Sequence, residues 1–393
     1  LQEKKIENDY FNFGISRTFH LYMGEPVLTR YLYHRDEVAH SLVTCLLVKS
    51  TFKEALFWAS EMYYSGFQRE TWELLWKIYY DFFAIRNPKF ERKIRRGHIK
   101  WCKTNEVERL IEVVNYLYHC STPAFKVFHL RILEEKLPRS IYLGRTPKWL
   151  AALGLSKKER NFIRSIHKKS LPDISYYLSC ISDHIDRCFE IVKLYYTKVK
   201  GYSLGIVDYE EISYADKKHI LYALICYLMM ETCEEVAQIR TVALVRKLEQ
   251  HSIDFFKETM VAVSPIWKTL AQRRLYAVHT LIGAFPIVRS DAGIEWNKIL
   301  WYHWEYYARY CPLWKERFKE YGAVFDDGEI VFANDDLLEE FYEKYGLEPD
   351  EQSRECQQKS LRSLETKTLG DWLGQIFPDR VGGGERQRLY YTF

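Results

Sequence analysis

Residues 51–86 read TFKEALFWASEMYYSGFQRETWELLWKIYYDFFAIR, and this stretch decides the fold class. Thr51 stands three residues before Glu54, the spacing at which the two side chains reciprocally satisfy orphan N–H groups at a helix start. Gly66 supplies the left-handed residue that ends the first helix. Within that helix Lys53, Glu54, Ser60 and Glu61 fall on one narrow stripe, and almost everything else is Ala, Leu, Phe, Trp, Met or Tyr. The second helix repeats the pattern. Glu70, Glu73, Lys77 and Asp81 form its polar stripe, Trp72, Leu75, Trp76, Ile78, Tyr79, Phe82 and Phe83 fill the remainder, and Asn87-Pro88 stops it. Both stripes are expected to be thin solvent edges. Helices this apolar must be covered by others, so the pair predicts the centre of an all-α fold, a multi-helix array of packed helix pairs.

Outward from that pair, residues 36–48 read as a helix, and residues 1–34 as an irregular aromatic arm that packs on a neighbouring surface. The basic run 86–103 reads as helix broken near Gly97. Asn105, with Glu108 three residues on, opens a helix to residue 119, and Thr122-Pro123 starts another that Pro138 ends. Residues 137–155 gather Pro, Gly and Arg and form a linker between a first helical group, 35–136, and a second, 156–345. The second group holds helices at 156–169, 173–198, 217–247, 252–282 (broken at Pro265), 296–321 and 335–345. Residues 329–332, after Asp327-Gly328, suggest at most one small hairpin. The last segment, 346–393, carries a helix at 353–377 and the tail DRVGGGERQRLYYTF. Its three glycines uncouple Arg386, Arg388, Leu389, Tyr390, Tyr391 and Phe393, which are expected to bind a partner chain rather than fold back.

Composition narrows the class. At 393 residues, 47% hydrophobic and 28% charged, the chain is long enough to bury a large core. Aromatic residues reach 16%, with 30 Tyr and 11 Trp, more than a core requires and the composition of contact surfaces. A net charge of +4 argues for neither nucleic acid nor membrane by itself, but its distribution is uneven. Basic runs at 86–103 and 157–169 contrast with an acidic segment at 326–351, an arrangement that would join copies head to tail or meet an acidic partner. Nine scattered cysteines predict free thiols in a reducing compartment, and no apolar run is long enough to span a membrane. The opening LQEKKIENDY lacks the layout of a signal peptide, and Leu1 in place of Met implies a processed or missing start.

Motifs for chemistry are few. Cys180, His184 and Cys188, four apart on an expected continuous helix, have the ligand types zinc prefers, yet the same spacing is that of any buried helix face. His98 and Cys102 repeat the spacing in the basic run. No nucleophile elbow, P-loop, dinucleotide fingerprint or zinc-protease helix occurs, so no enzyme and no cofactor is expected. Arg92, Lys93, Arg95, Arg96 and Lys100, with Trp101 and Phe90 interleaved, have the phosphate-plus-stacking composition of single-strand binders.

The run EALFWASEMYYSGF followed by TWELLWKIYYDFFAIRNP resembles segments of uncharacterised all-helical proteins of large nucleocytoplasmic DNA viruses, over residues 51–104. That resemblance implies a viral source and a place in the virion or the host cytoplasm, and carries no catalytic residue. The expectation is a structural component, a minor capsid or scaffold protein, that bridges other protein subunits through terminal arms. Nucleic-acid binding through 86–103 is the alternative.

Overall fold

The computed structural model describes residues 27–120, 123–135, 147–181, 185–200, 214–230, 303–326 and 328–345, with residues 257, 277–278 and 366–367 isolated from these. The described part is mostly helical, as the apolar pair at 51–86 demands. In chain order the helices are α1 (Arg35–Val48), α2 (Phe52–Tyr64), α3 (Gln68–Ile78), α4 (Glu91–Thr104), α5 (Val107–His119), α6 (Lys126–Glu135) and α7 (Lys148–Ala151). There follow α8 (Lys157–His167), α9 (Leu171–Ser179), α10 (Ile185–Lys200), α11 (Tyr214–Met230), α12 (Pro312–Glu320) and α13 (Asp335–Tyr345), with a short helical piece at 303–308 ahead of α12. Strands are minimal. Val324–Asp326 and Glu329–Val331 form the expected hairpin, and Ala277–Val278 pairs in parallel with Thr366–Lys367. Residues 277–278 had been expected within a helix.

The α2–α3 pair is central. Thr51 accepts from the Glu54 N–H at 3.2 Å, α2 ends at Ser65 and Gly66, and Gly66 adopts φ +94°. α2 packs against α1 on one side and α5 on another, and α4 lies along α5. Gly97 does not break α4. A Cβ placed there would lie 3.5 Å from Val113 and 3.6 Å from Trp72, ordinary contact distances, so the helix passes through the glycine without needing it. Asn105 does not open α5 either: it takes φ +55° and closes α4, which an amide side chain tolerates well. α6, α8, α9, α10 and α11 pack as a further layer that reaches the centre through α6. Leu150 and Leu155, from the expected linker, join the same buried cluster.

The polar stripes of the central pair are where expectation fails. Ser60 and Glu61 of α2 are fully buried, and so is Asp81. Asp81 lies in a single π-helical turn, Tyr79–Phe83, inserted after α3. The partner of Glu61 comes from residues 27–34, which had been expected to reach a neighbouring surface. Val27, Leu28, Leu32 and Tyr33 instead enter the chain's own core. The guanidinium of Arg30 donates from Nε to Glu61 Oε2 at 2.8 Å, the Tyr31 N–H donates to Glu61 Oε1 at 3.0 Å, and the Arg30 N–H donates to Ser65 Oγ at 2.8 Å. The rings of Tyr31 and Tyr64 lie 4.7 and 5.1 Å from the Arg30 cation.

The end of α12 docks on the same node. The Leu313 N–H and the Cys311 thiol each donate to the Ser65 carbonyl at 3.3 Å, and the Trp314 indole N–H donates to the Thr29 carbonyl at 3.3 Å. Trp314 then roots an aromatic stack with Trp304, Phe318 and Tyr345 that holds α13. A side chain at Gly66 would overlap Pro312, so the turn must be glycine for two reasons, conformation and approach.

Removing one member of a buried ion pair leaves the other charge uncompensated, so Glu61→Ala is expected to lower unfolding free energy by about 3–5 kcal/mol in denaturant titration. A loss under about 1 kcal/mol would mean the pair does not hold the node. Gly66→Ala is expected to cost about 2–3 kcal/mol, from the left-handed backbone together with overlap. In a double-mutant cycle with Pro312→Gly, the two changes should couple by at least about 0.5 kcal/mol.

Candidate functional site

α4 is amphipathic because its apolar residues return every three or four positions while six cations and one acid occupy the rest. Ile94 and Trp101 are buried, and Phe90, just before the helix, is fully buried. The Trp101 indole N–H donates to Tyr63 Oη at 3.1 Å, and Tyr63 in turn donates to the Asn105 carbonyl at 2.8 Å. Trp101 and Phe90 therefore serve the core, and neither presents a ring for base stacking. Arg95 is tied to Glu91 at 2.6 Å, and Lys93 covers the Tyr116 ring at 4.7 Å.

Arg92, Arg96, Lys100 and Lys103 remain. All but Lys103 repeat at steps of four, Lys103 follows three on, and the set spans about 17 Å along one exposed face. No side chain of the four makes a hydrogen bond or ion pair with any described residue.

A second charged face lies on α13, which holds five acids and one cation. Phe341 and Tyr345 anchor it through the Trp314 and Phe318 rings. Its cation, Lys344, is engaged by Glu320 at 2.9 Å, and Glu340 accepts from Tyr321 at 3.4 Å. Asp335, Asp336, Glu339 and Glu343 are exposed and pair with no described residue. Beside them the hairpin turns Phe325 and Ile330 inward and leaves Val324 and Val331, directly opposed across the strands, 63% and 50% exposed. Leu338 borders the acidic stripe, 36% exposed.

Two polar centres lie inside the fold, Asp81 fully buried and His98 half-buried. Asp81 accepts from Arg131 of α6, and its other oxygen, Oδ1, has no hydrogen-bond partner among the described residues. Burial pushes the Asp81 carboxyl up while Arg131 pulls it down. His98 of α4 stacks on Trp72 at 4.6 Å and accepts at Nδ1 from the Trp76 indole N–H at 3.0 Å. Burial pushes its imidazole down to about 4, with Arg95 adding to the effect, and burial alone does the same to His129 of α6. His98 is thus an aromatic core residue. Burial also pushes Cys102 up, away from the thiolate a metal would need.

The weak zinc candidate, Cys180, His184 and Cys188, does not lie on one continuous helix. The expected helix over 173–198 is two helices, α9 and α10, so Cys180 closes the first and Cys188 belongs to the second. Cys188 is buried with its thiol directed to the Ile181 carbonyl, and His184 lies outside the described residues. Among the described residues no three His, Cys, Asp or Glu groups come together as a metal site, and no helix is long and apolar enough to cross a membrane. The tail residues Arg386, Arg388, Leu389, Tyr390, Tyr391 and Phe393 also lie outside the described residues, as do 1–26 of the arm.

No protein family matches the chain, and no curated protein or solved structure is similar to it.

Two half-buried histidines, His98 and His129, set a pH dependence. Their folded imidazoles protonate near 4, whereas unfolded ones protonate near 6.5, so the unfolded chain binds more protons between those values. Stability present above about pH 6.5 is expected to fall progressively toward pH 4, with the raised Asp81 carboxyl acting in the opposite sense. Chemical denaturation at pH 7 and pH 5 measures the slope, and His129→Phe should flatten it. A slope unchanged by that substitution would contradict the assignment.

Proposed function

We propose that this chain is a structural interaction component that bridges neighbouring protein subunits of a larger assembly, without catalysis of its own. The resemblance of residues 51–104 gives the setting: a minor capsid or scaffold protein of a large DNA virus, in the virion or the host cytoplasm. The observation that carries the reading is the α4 face, where Arg92, Arg96, Lys100 and Lys103 are exposed and unengaged by any described residue while the cations next to them are used internally. Cations at helical spacing match carboxylates at helical spacing on a protein surface, and such complementarity fixes register and partner choice more than it adds affinity.

A nucleic-acid-binding protein is the second reading, and the same four cations favour it. Stacking platforms are the feature that single-strand binders combine with such a groove, and the two aromatic residues of this run are spent on the core.

The readings separate in one titration. An acidic helical peptide with Glu at steps of four is compared with a single-stranded oligonucleotide of about 20 nucleotides at equal salt. The interaction reading expects the peptide to bind α4 and Arg96→Glu with Lys100→Glu to weaken it at least tenfold. Tighter binding of the oligonucleotide, with affinity falling steeply in salt, would transfer the face to nucleic acid. Binding of neither would overturn the proposal.

A further inference from the structure

From the two faces together we infer that the partner of α4 is the α13 face of a second copy of the same chain, giving head-to-tail self-association. This rests on the interaction reading of α4 above and names its partner.

Three observations carry it. The first is matched spacing: Arg92, Arg96 and Lys100 on α4, and Asp335, Glu339 and Glu343 on α13, all step by four on exposed helix faces. Laid side by side, two such rows place opposite charges at the same repeat of about 6 Å. The second is that neither row is satisfied by a described residue of its own chain. Of the charges nearby, Glu91 is engaged by Arg95 and Lys344 by Glu320, while Lys315 and Lys319 of α12 are exposed. The third is exposed apolar surface, on α13 itself at Leu338 and on the hairpin. Val324, Val331 and Leu338 are three of the four large hydrophobic residues left exposed among the described residues. Charge rows alone in water are worth little, and an apolar patch beside them adds the burial that an association requires.

Where each face meets a different copy the contact is heterologous and builds a ring or a filament; where both faces of two copies meet reciprocally it closes a two-fold dimer. Two helix faces and a hairpin bury less than a standard stable interface, so association should depend on concentration and be screened by salt.

Light scattering of the full chain tests this across concentration, at about 50 mM and about 500 mM salt, where the screening length falls from above 10 Å to below 5 Å. The wild-type mass is expected to rise with concentration at low salt and return to that of one chain at high salt. Two charge-reversed chains follow: one carries Arg92→Glu, Arg96→Glu and Lys100→Glu, the other Asp335→Lys, Glu339→Lys and Glu343→Lys. Each alone should remain a single chain, with association weakened at least tenfold. Their equimolar mixture should assemble, since each supplies the face the other lost, as should a chain carrying all six changes. That last chain also controls for folding. Mass equal to one chain under every condition, or no recovery in the mixture, overturns the inference. If the acidic peptide still binds α4 in that event, the interaction reading stands and only its partner is wrong. If self-association persists in both reversed chains, it uses another surface.

Discussion

The Arg30–Glu61 pair is the constraint on which the rest depends. Two opposite charges taken fully out of water are costly unless further groups satisfy them, and here the carboxylate is met by a guanidinium and a backbone N–H while two tyrosine rings face the cation. The consequence is positional. Residues 27–34 are drawn against α2, and α2 cannot rotate without stranding a charge. The Ser65 carbonyl at the end of α2 is then fixed to receive Cys311 and Leu313, so a segment some 250 residues later closes over the same point. Gly66 and Pro312 make that closure close-packed.

Sequence periodicity was sufficient for the central helices and insufficient for their charges. The bounds of α13, and the turn and second strand of the hairpin, could be read directly, because their turns and apolar spacing are local. α2 and α3 could be read for the same reason. Glu61 and Asp81, by contrast, occupy stripes that look like solvent edges, and what buries them lies 31 and 50 residues away in Arg30 and Arg131. No local pattern carries that information. The π turn at Tyr79–Phe83 is similar, since its apolar run reads equally well as regular helix. Asn105 was misread because asparagine suits both the end of one helix and the start of the next. The split between α9 and α10 carries no proline or glycine to announce it.

The candidate site was half visible. The basic run and the acidic segment are plain in the sequence, as is the notion that they complement each other. Which members are available is a matter of packing. Arg95 is spent on Glu91, Lys93 on Tyr116 and Trp101 on Tyr63, and only the remaining four cations form a free row. The same sorting on α13 removes Lys344 and Glu340 and leaves an acidic row with Leu338 exposed on the same helix. A frame closed internally by its arginines and aromatics thus leaves, among its unengaged charges, a basic row on α4 and an acidic row on α13. That is the arrangement expected of a part that joins to others like itself.

Zero-length carbodiimide cross-linking of mixed isotope-labelled and unlabelled chains at low salt addresses this claim most directly, because it joins only lysines and carboxylates in contact and reports whether they belong to different molecules. The account predicts mixed-label links between Lys100 or Lys103 and Asp335, Glu339 or Glu343, lost at high salt. Links to those residues that are exclusively same-label, or their absence while other mixed-label links form, would contradict it.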